Sequence, residues 1–153
     1  MIRLVRPEDV PALVTLINST DMFPGEMLPD MIAPYFAAPE AGDALWWVDD
    51  AGPRAVAYCA RERMTNNAWN LLMIAVHGLH QGHGIGSALL RHVESEIAAR
   101  DARIVLADTS GQASYARTRQ FYRNAGYTEE ARIRDFWDTG DDKVTFTKTL
   151  AKE

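Results

Sequence analysis

The chain has a single cysteine, Cys59, among its 153 residues. An internal disulfide is therefore excluded, and a reducing compartment fits. No apolar run comes near the ~20 residues that a membrane span needs, so no membrane partner is expected. The N-terminus lacks the charged and apolar regions of a signal peptide, and the expected location is cytoplasmic. Basic residues are the minority, 16 against 21 acidic, for a formal charge of −5. A duplex-binding protein normally shows a basic stripe, so no nucleic-acid partner is expected either. No repeat, linker or low-complexity tract interrupts the sequence. With 47% apolar composition, residues 1–153 are expected to form one domain around its own core.

What is present is concentrated between Leu71 and Arg100. An apolar run, Leu71 to Val76, reads as a strand, and a polar turn follows it. Gln81-Gly82-His83-Gly84-Ile85-Gly86 then opens a long amphipathic segment. Glycines at alternate positions let the backbone turn tightly and bring its N–H groups close to whatever lies before the helix. A helix start, with unpaired N–H groups and the positive end of a dipole, is a ready anion site, and phosphate is its usual guest. A dinucleotide fingerprint needs glycines separated by one and then two residues, with an acidic residue about twenty positions on. Here the separations are one and one. A P-loop ends in Gly-Lys-Ser/Thr, and Gly86-Ser87 lacks the lysine.

The flanking segments read in order as follows. Ile2 to Arg6 alternates like an edge strand, and Pro7-Glu8-Asp9 starts a helix with Val10, Leu13, Val14 and Ile17 on one face. A second helical stretch, Glu26 to Phe36, carries Pro29 and Pro34 and should be bent or split. Met22, Phe23, Met27, Met31, Tyr35 and Phe36 make this region rich in flexible and aromatic groups. They read as core packing or as an adaptable pocket wall. Two strands, Ala44–Val48 and Ala55–Ala60, flank a hairpin connection. Trp69 to Val76 is nearly all apolar, which predicts burial on both faces in mid-sheet. From Gly84 to Arg100 one helical stripe holds Ile85, Ala88, Leu89, Val93 and Ile97, while Arg91, Glu94, Ser95 and Arg100 are expected to face out. Arg103–Thr109 is a strand, and Ala113–Ala125 a helix stopped by Gly126. Arg132–Trp137 and Lys143–Leu150 flank Thr139-Gly140-Asp141-Asp142, the clearest hairpin signal.

At Gln81-x-x-Gly84-x-Gly86 the sequence resembles the GNAT superfamily of acyl-CoA-dependent N-acyltransferases. That family's pyrophosphate signature runs Gln or Arg, two residues, Gly, one residue, Gly or Ala. A second similarity lies at Phe121-Tyr122-Arg123-Asn124-Ala125-Gly126-Tyr127, one helix, one strand, one turn and most of a second helix later. Together the signatures and the element order cover about residues 44 to 150. The resemblance implies an α/β fold: a mixed β-sheet splayed at its centre, flanked by helices on both faces, with acyl-CoA in the gap. It implies acetyl-CoA as co-substrate and a primary amine as acceptor. Ile74, Ala75 and Val76 would offer backbone groups to the pantetheine arm and thioester carbonyl. Gln81, Gly82, His83, Gly84, Ile85 and Gly86 would hold the pyrophosphate, with His83 reaching a CoA phosphate. Tyr122 would protonate the departing thiolate.

The sequence departs from the family at informative places. Many members keep an Asn seven residues before the tyrosine, where Tyr115 stands here. Others carry a Glu or His base on the central strand, and the corresponding Asn70 and Leu72 cannot serve. Asp108 is the first candidate base and Glu62 the second, each with a plain structural reading beside it. His77, His80 and His83 recur at intervals of three, but across a turn they do not obviously converge, and no metal is expected. His92 reads as surface. The rival reading is a non-catalytic acyl-CoA-binding or sensory module on the same fold. Negative net charge favours a cationic acceptor, such as a polyamine or aminoglycoside, on steering grounds, while small-molecule and peptide amines both stay open. A homodimer is compatible with the sequence.

Overall fold

The computed structural model describes residues 1–150. Strand β1 (Ile2–Leu4) leads into helix α1 (Val10–Asn18), and α2 (Leu28–Ala37) follows. The expected interruption at Pro29 and Pro34 is not seen: a single helical turn at Gly25–Met27 leads into α2, with Pro29 in its first turn and Pro34 inside an unbroken helix. Then come β2 (Ala44–Asp49), β3 (Ala55–Arg61), β4 (Ala68–Val76), α3 (Ile85–Ala98) and β5 (Ile104–Ser110). Helix α4 (Ala116–Asn124) and the hairpin of β6 (Thr128–Asp138) and β7 (Asp141–Thr149) complete the order. In space the strands run β1-β2-β3-β4-β5-β7-β6. Every neighbouring pair is antiparallel except β4 and β5, which are parallel and joined through α3. Parallel neighbours need such a crossover. The fold is thus the expected one, a mixed α/β sheet flanked by helices.

The core forms where the apolar faces meet. Trp46, Trp47, Trp69 and Phe146 are fully buried. Trp46 stacks on Tyr58, directly opposite it on β3, with ring centroids 4.3 Å apart. An aromatic pair of this kind adds ~1 kcal/mol beyond the area it buries. Helix α1 contributes Leu13, Leu16 and Ile17, and α2 contributes Leu28, Ile32 and Tyr35. No helix among the described residues is long and apolar enough to cross a membrane.

The sheet divides between β4 and β5. Their pairing runs from Ala68↔Ile104 to Leu71↔Ala107, although β4 continues to Val76 and β5 to Ser110. The cause sits on the other edge of β4. Tyr58 and Cys59 of β3 face Met73 and Leu71, so Leu72 is an extra residue with no opposite number. Such a bulge bends and twists its strand, here at the position where β5 is lost. It also turns Leu72 outward, 50% exposed, which corrects the expectation that this strand is buried throughout.

Glu94 corrects the reading of α3. Instead of facing out, it is 9% exposed. Its carboxylate accepts the Tyr127 hydroxyl at 2.7 Å and the Lys148 ammonium at 3.0 Å. Lys148 also donates to the Ala125 carbonyl at 2.9 Å. One buried carboxylate therefore ties α3, the end of α4 and β7 together. Such a charge is tolerable only when paired in this way.

Candidate active site

The parted strands open a cleft of about 850 Å³. One side is Leu72–Val76 of β4 and the other is Asp108–Ser110 at the end of β5. Tyr122 of α4, Met22 after α1 and Trp137 of β6 complete the walls. A second cavity of about 340 Å³ shares Val76 and Gln81 with the cleft and extends to Gly84, Gly86 and Phe121.

Backbone polarity along β4 decides which groups face the gap. The His77 N–H donates to the Arg54 carbonyl at 2.8 Å. Alternation along an antiparallel pair then makes Ala75 and Val56 partners and turns the N–H and C=O of Ile74 and Val76 the other way. The Val76 carbonyl accordingly accepts the Gln81 amide at 3.2 Å. This corrects one expected site residue. Ala75 cannot present backbone groups to a ligand in the cleft, because they are spent on β3; Ile74 and Val76 can.

At the glycine turn, Gly82 and Gly84 adopt φ of +84° and +77°. These left-handed conformations are strained for residues with a β-carbon. Ala88 takes the Gly84 carbonyl at 3.1 Å, so the N–H groups of Ile85, Gly86 and Ser87 have no partner within α3. They point out of the helix start beside the smaller cavity. Gly86 has a different reason to be glycine. A β-carbon there would lie 3.3 Å from Val76 Cγ2 and 3.4 Å from Phe121 Cε1. Gln81 spends its side chain on Val76, and His83 is exposed. The turn is tied to the rest of the fold by the Gly78 N–H, which donates to Ser19 Oγ at 2.9 Å.

Tyr122 is 5% exposed, among the rings of Phe121, Tyr127 and Phe146 at centroid distances of 5.3 to 5.5 Å. No described residue hydrogen-bonds its hydroxyl, which lies on the cleft. Burial pushes its phenol above the ordinary tyrosine range, and the thiol of Cys59 and carboxylate of Asp108 push the same way. Tyr122 therefore keeps its proton. Asp108 lines the same cleft and is held from β7, accepting the Thr145 hydroxyl at 2.6 Å with Lys143 Nζ at 3.6 Å. Glu62 is not in the cleft. It sits where β3 turns toward β4, accepting the Asn70 amide at 2.9 Å. Among the described residues no three His, Cys, Asp or Glu side chains come together as a metal site, and His77 instead accepts the Leu79 N–H at 3.1 Å.

Residues 42–129, from just before β2 into β6, match the sequence model of the acetyltransferase (GNAT) domain. The chain belongs to the GNAT family. As a member it is an N-acetyltransferase, and its reaction is acetyl transfer. A Desulfovibrio desulfuricans protein assigned to the GNAT family as an acetyltransferase is 27% identical, with a TM-score of 0.91 over 99% of each chain. Two more distant structures share the fold. The ribosomal-protein-S18-alanine N-acetyltransferase of Escherichia coli is 21% identical, with a TM-score of 0.77 over 100% of this chain and 95% of that one. A Salmonella typhimurium structure described as an acetyltransferase with its cofactor acetyl-CoA is 17% identical, with a TM-score of 0.77 over the same shares. No curated protein sequence matches the chain. Against the GNAT pattern, Tyr115 occupies the place often held by Asn; it is 39% exposed and lines the cleft. Leu72, at one family position for a base, is the bulged residue of β4.

Proposed function

We propose that this GNAT protein transfers the acetyl group of acetyl-CoA directly to a primary amine bound at the Asp108 end of the cleft. The observation that carries the reading is the parting of β4 and β5 at Leu71 and Ala107, with Tyr122 and Asp108 both lining the gap it leaves. The unpaired N–H groups at the start of α3 are suited to the pyrophosphate. Ile74 and Val76 offer backbone groups along the arm, and an N–H of this strand stabilises the oxyanion as the amine attacks the thioester carbon. As the C–S bond breaks, the electron pair stays on sulfur and Tyr122 supplies the proton, regaining one from solvent. The ammonium loses one proton to Asp108 before attack, directly or through water, and the nitrogen gives up a second to solvent as the tetrahedral intermediate collapses to the amide. The products are the N-acetyl amine and free CoA.

Thiol release from acetyl-CoA, measured over a panel of primary amines, tests this. Amine-dependent release with acetylated amine found by mass spectrometry is expected. A protein that binds acetyl-CoA but releases no thiol with any amine would be a binding module.

The base has its own test. A primary amine with a pKa of about 10.4 is almost wholly protonated at pH 7. Asp108→Asn should therefore lower the acceptor's kcat/KM at neutral pH, on the order of a hundredfold for a lost general base. The deficit should shrink as pH rises and the amine loses its proton unaided. Glu62→Gln, outside the cleft, should show no such trend. A deficit for Asp108→Asn that is flat with pH would assign Asp108 to positioning instead.

A further inference from the structure

Strand β6 leaves the sheet where it passes the cleft. Ile133 pairs with Lys143 and Asp138 with Asp141, so β6 advances five residues while β7 advances two. Residues 134–137 thus loop out opposite Asp142 alone. The excursion is built, not slack. The Asp142 carboxylate accepts the Asp135 N–H at 3.0 Å and Arg132 Nε at 2.7 Å. The Asp135 carboxylate accepts the Gly140 N–H at 2.9 Å, and Asp135 itself takes a left-handed φ of +56°. At the end of this excursion Trp137 reaches past β7, and its indole N–H donates to the Thr109 carbonyl of β5 at 3.2 Å. It is edge-on to Phe136 at 4.8 Å, and Lys143 Nζ lies 4.4 Å over the Phe136 ring.

The three other tryptophans are fully buried, whereas Trp137 is 48% exposed and lines the cleft. It is not alone. Leu72, pushed outward by the β4 bulge, is 50% exposed, and Met22 is 45% exposed; both line the same cleft. Two local departures from regular strand geometry therefore spend their distortion on bringing large apolar side chains to one opening. Exposed apolar surface gathered in this way marks a binding site. The same opening holds the unpartnered Tyr122 hydroxyl, the side chain of Arg117 and three carboxylates, Asp21, Asp108 (held by Thr145 and Lys143) and Asp141 (accepting the Ser110 hydroxyl), so acidic groups outnumber basic ones. A guest that suits the apolar side chains and the excess of carboxylates has a cationic nitrogen on an apolar body.

We infer that Trp137 determines acceptor specificity, and that the acceptor is a primary amine carried on an apolar or aromatic body rather than a polyamine or a polyhydroxylated amine. This rests on the acetyl-transfer reading above. The aromatic plane covers the body of the acceptor, with Leu72 and Met22 opposite, while the acidic groups receive the ammonium. A polyamine would leave this surface uncovered and place further charges against it, which costs desolvation.

The test uses phenethylamine, spermidine and kanamycin as acceptors, followed by thiol release. Wild type should turn over phenethylamine with kcat/KM at least on the order of tenfold above the other two, the usual worth of an apolar pocket contact. Trp137→Ala should erase most of that preference while leaving the KM for acetyl-CoA and the thermal midpoint nearly unchanged. Trp137→Phe, which keeps a ring, should restore part of it. Phenethylamine should also change the emission of wild type, where Trp137 is the exposed tryptophan, and not that of Trp137→Phe. Equal use of spermidine, or a preference that survives Trp137→Ala, overturns the inference while acetyl transfer stands. Acetyl-CoA binding without turnover of any amine overturns both.

Discussion

Tyr122→Phe is expected to lower kcat on the order of a hundredfold, the scale of a lost positioned acid, with KM for acetyl-CoA nearly unmoved. A hundredfold loss is about 2.7 kcal/mol of transition-state stabilisation. The substitution is unusually clean here. The ring of Tyr122 packs against Phe121, Tyr127 and Phe146, and phenylalanine keeps all three contacts. No described residue hydrogen-bonds the hydroxyl, so its removal leaves no buried partner unpaired. Stability should therefore hold, and the thermal midpoint is the check. Burial raises the phenol's pKa, and a raised pKa means the proton is retained to higher pH than in free tyrosine, near 10. The ratio of wild-type to variant kcat should then stay flat from pH 7 to 9. A ratio that collapses across that interval would show a phenol titrating in the working range, contrary to its burial. Wild-type kcat in the variant would return Tyr122 to the core.

Most of the framework was legible in the sequence, because it depends on local signals. The glycine turn, the helix it opens and the Thr139-Gly140 hairpin are each specified by residues a few positions apart. What was missed depends on partners far along the chain. Glu94 sits in a helix of mixed polarity and reads as solvated, yet Tyr127 and Lys148 arrive from 33 and 54 residues away to bury it. The bulge at Leu72 has no composition of its own: Leu71 and Leu72 are the same residue type, and only the register against Tyr58 and Cys59 separates them. That register also decides that Ile74 and Val76, not Ala75, turn backbone groups to the cleft. Trp137 was visible as part of an unusual Asp-Phe-Trp run. Its place at the cleft is fixed by the Thr109 carbonyl, 28 residues away, which no local pattern encodes.

Gly86→Val should raise the KM for acetyl-CoA on the order of tenfold or more, a loss of about 1.4 kcal/mol or greater in binding. Three glycines stand in the turn, but they are not equivalent. Gly82 and Gly84 need their φ, and open space lies where their β-carbons would be. A substitution at either strains the backbone itself. Gly86 is in ordinary helical geometry, and its constraint is purely one of room. A single β-carbon meets Val76 Cγ2 at 3.3 Å and Phe121 Cε1 at 3.4 Å, distances that two side chains can relieve by small shifts. Gly86→Ala should therefore be tolerated with a modest change. The two further methyl groups of valine have no such relief. They must displace Phe121 and Val76 or occupy the 340 Å³ cavity that these residues border with the glycine turn. In either case the approach to the N–H groups at the start of α3 is narrowed, while the core behind Ile85 and Leu89 is untouched. Cooperative unfolding should persist, and kcat at saturating acetyl-CoA should fall far less than kcat/KM. A folded Gly86→Val protein with an unchanged KM would place the pyrophosphate elsewhere than at this helix start.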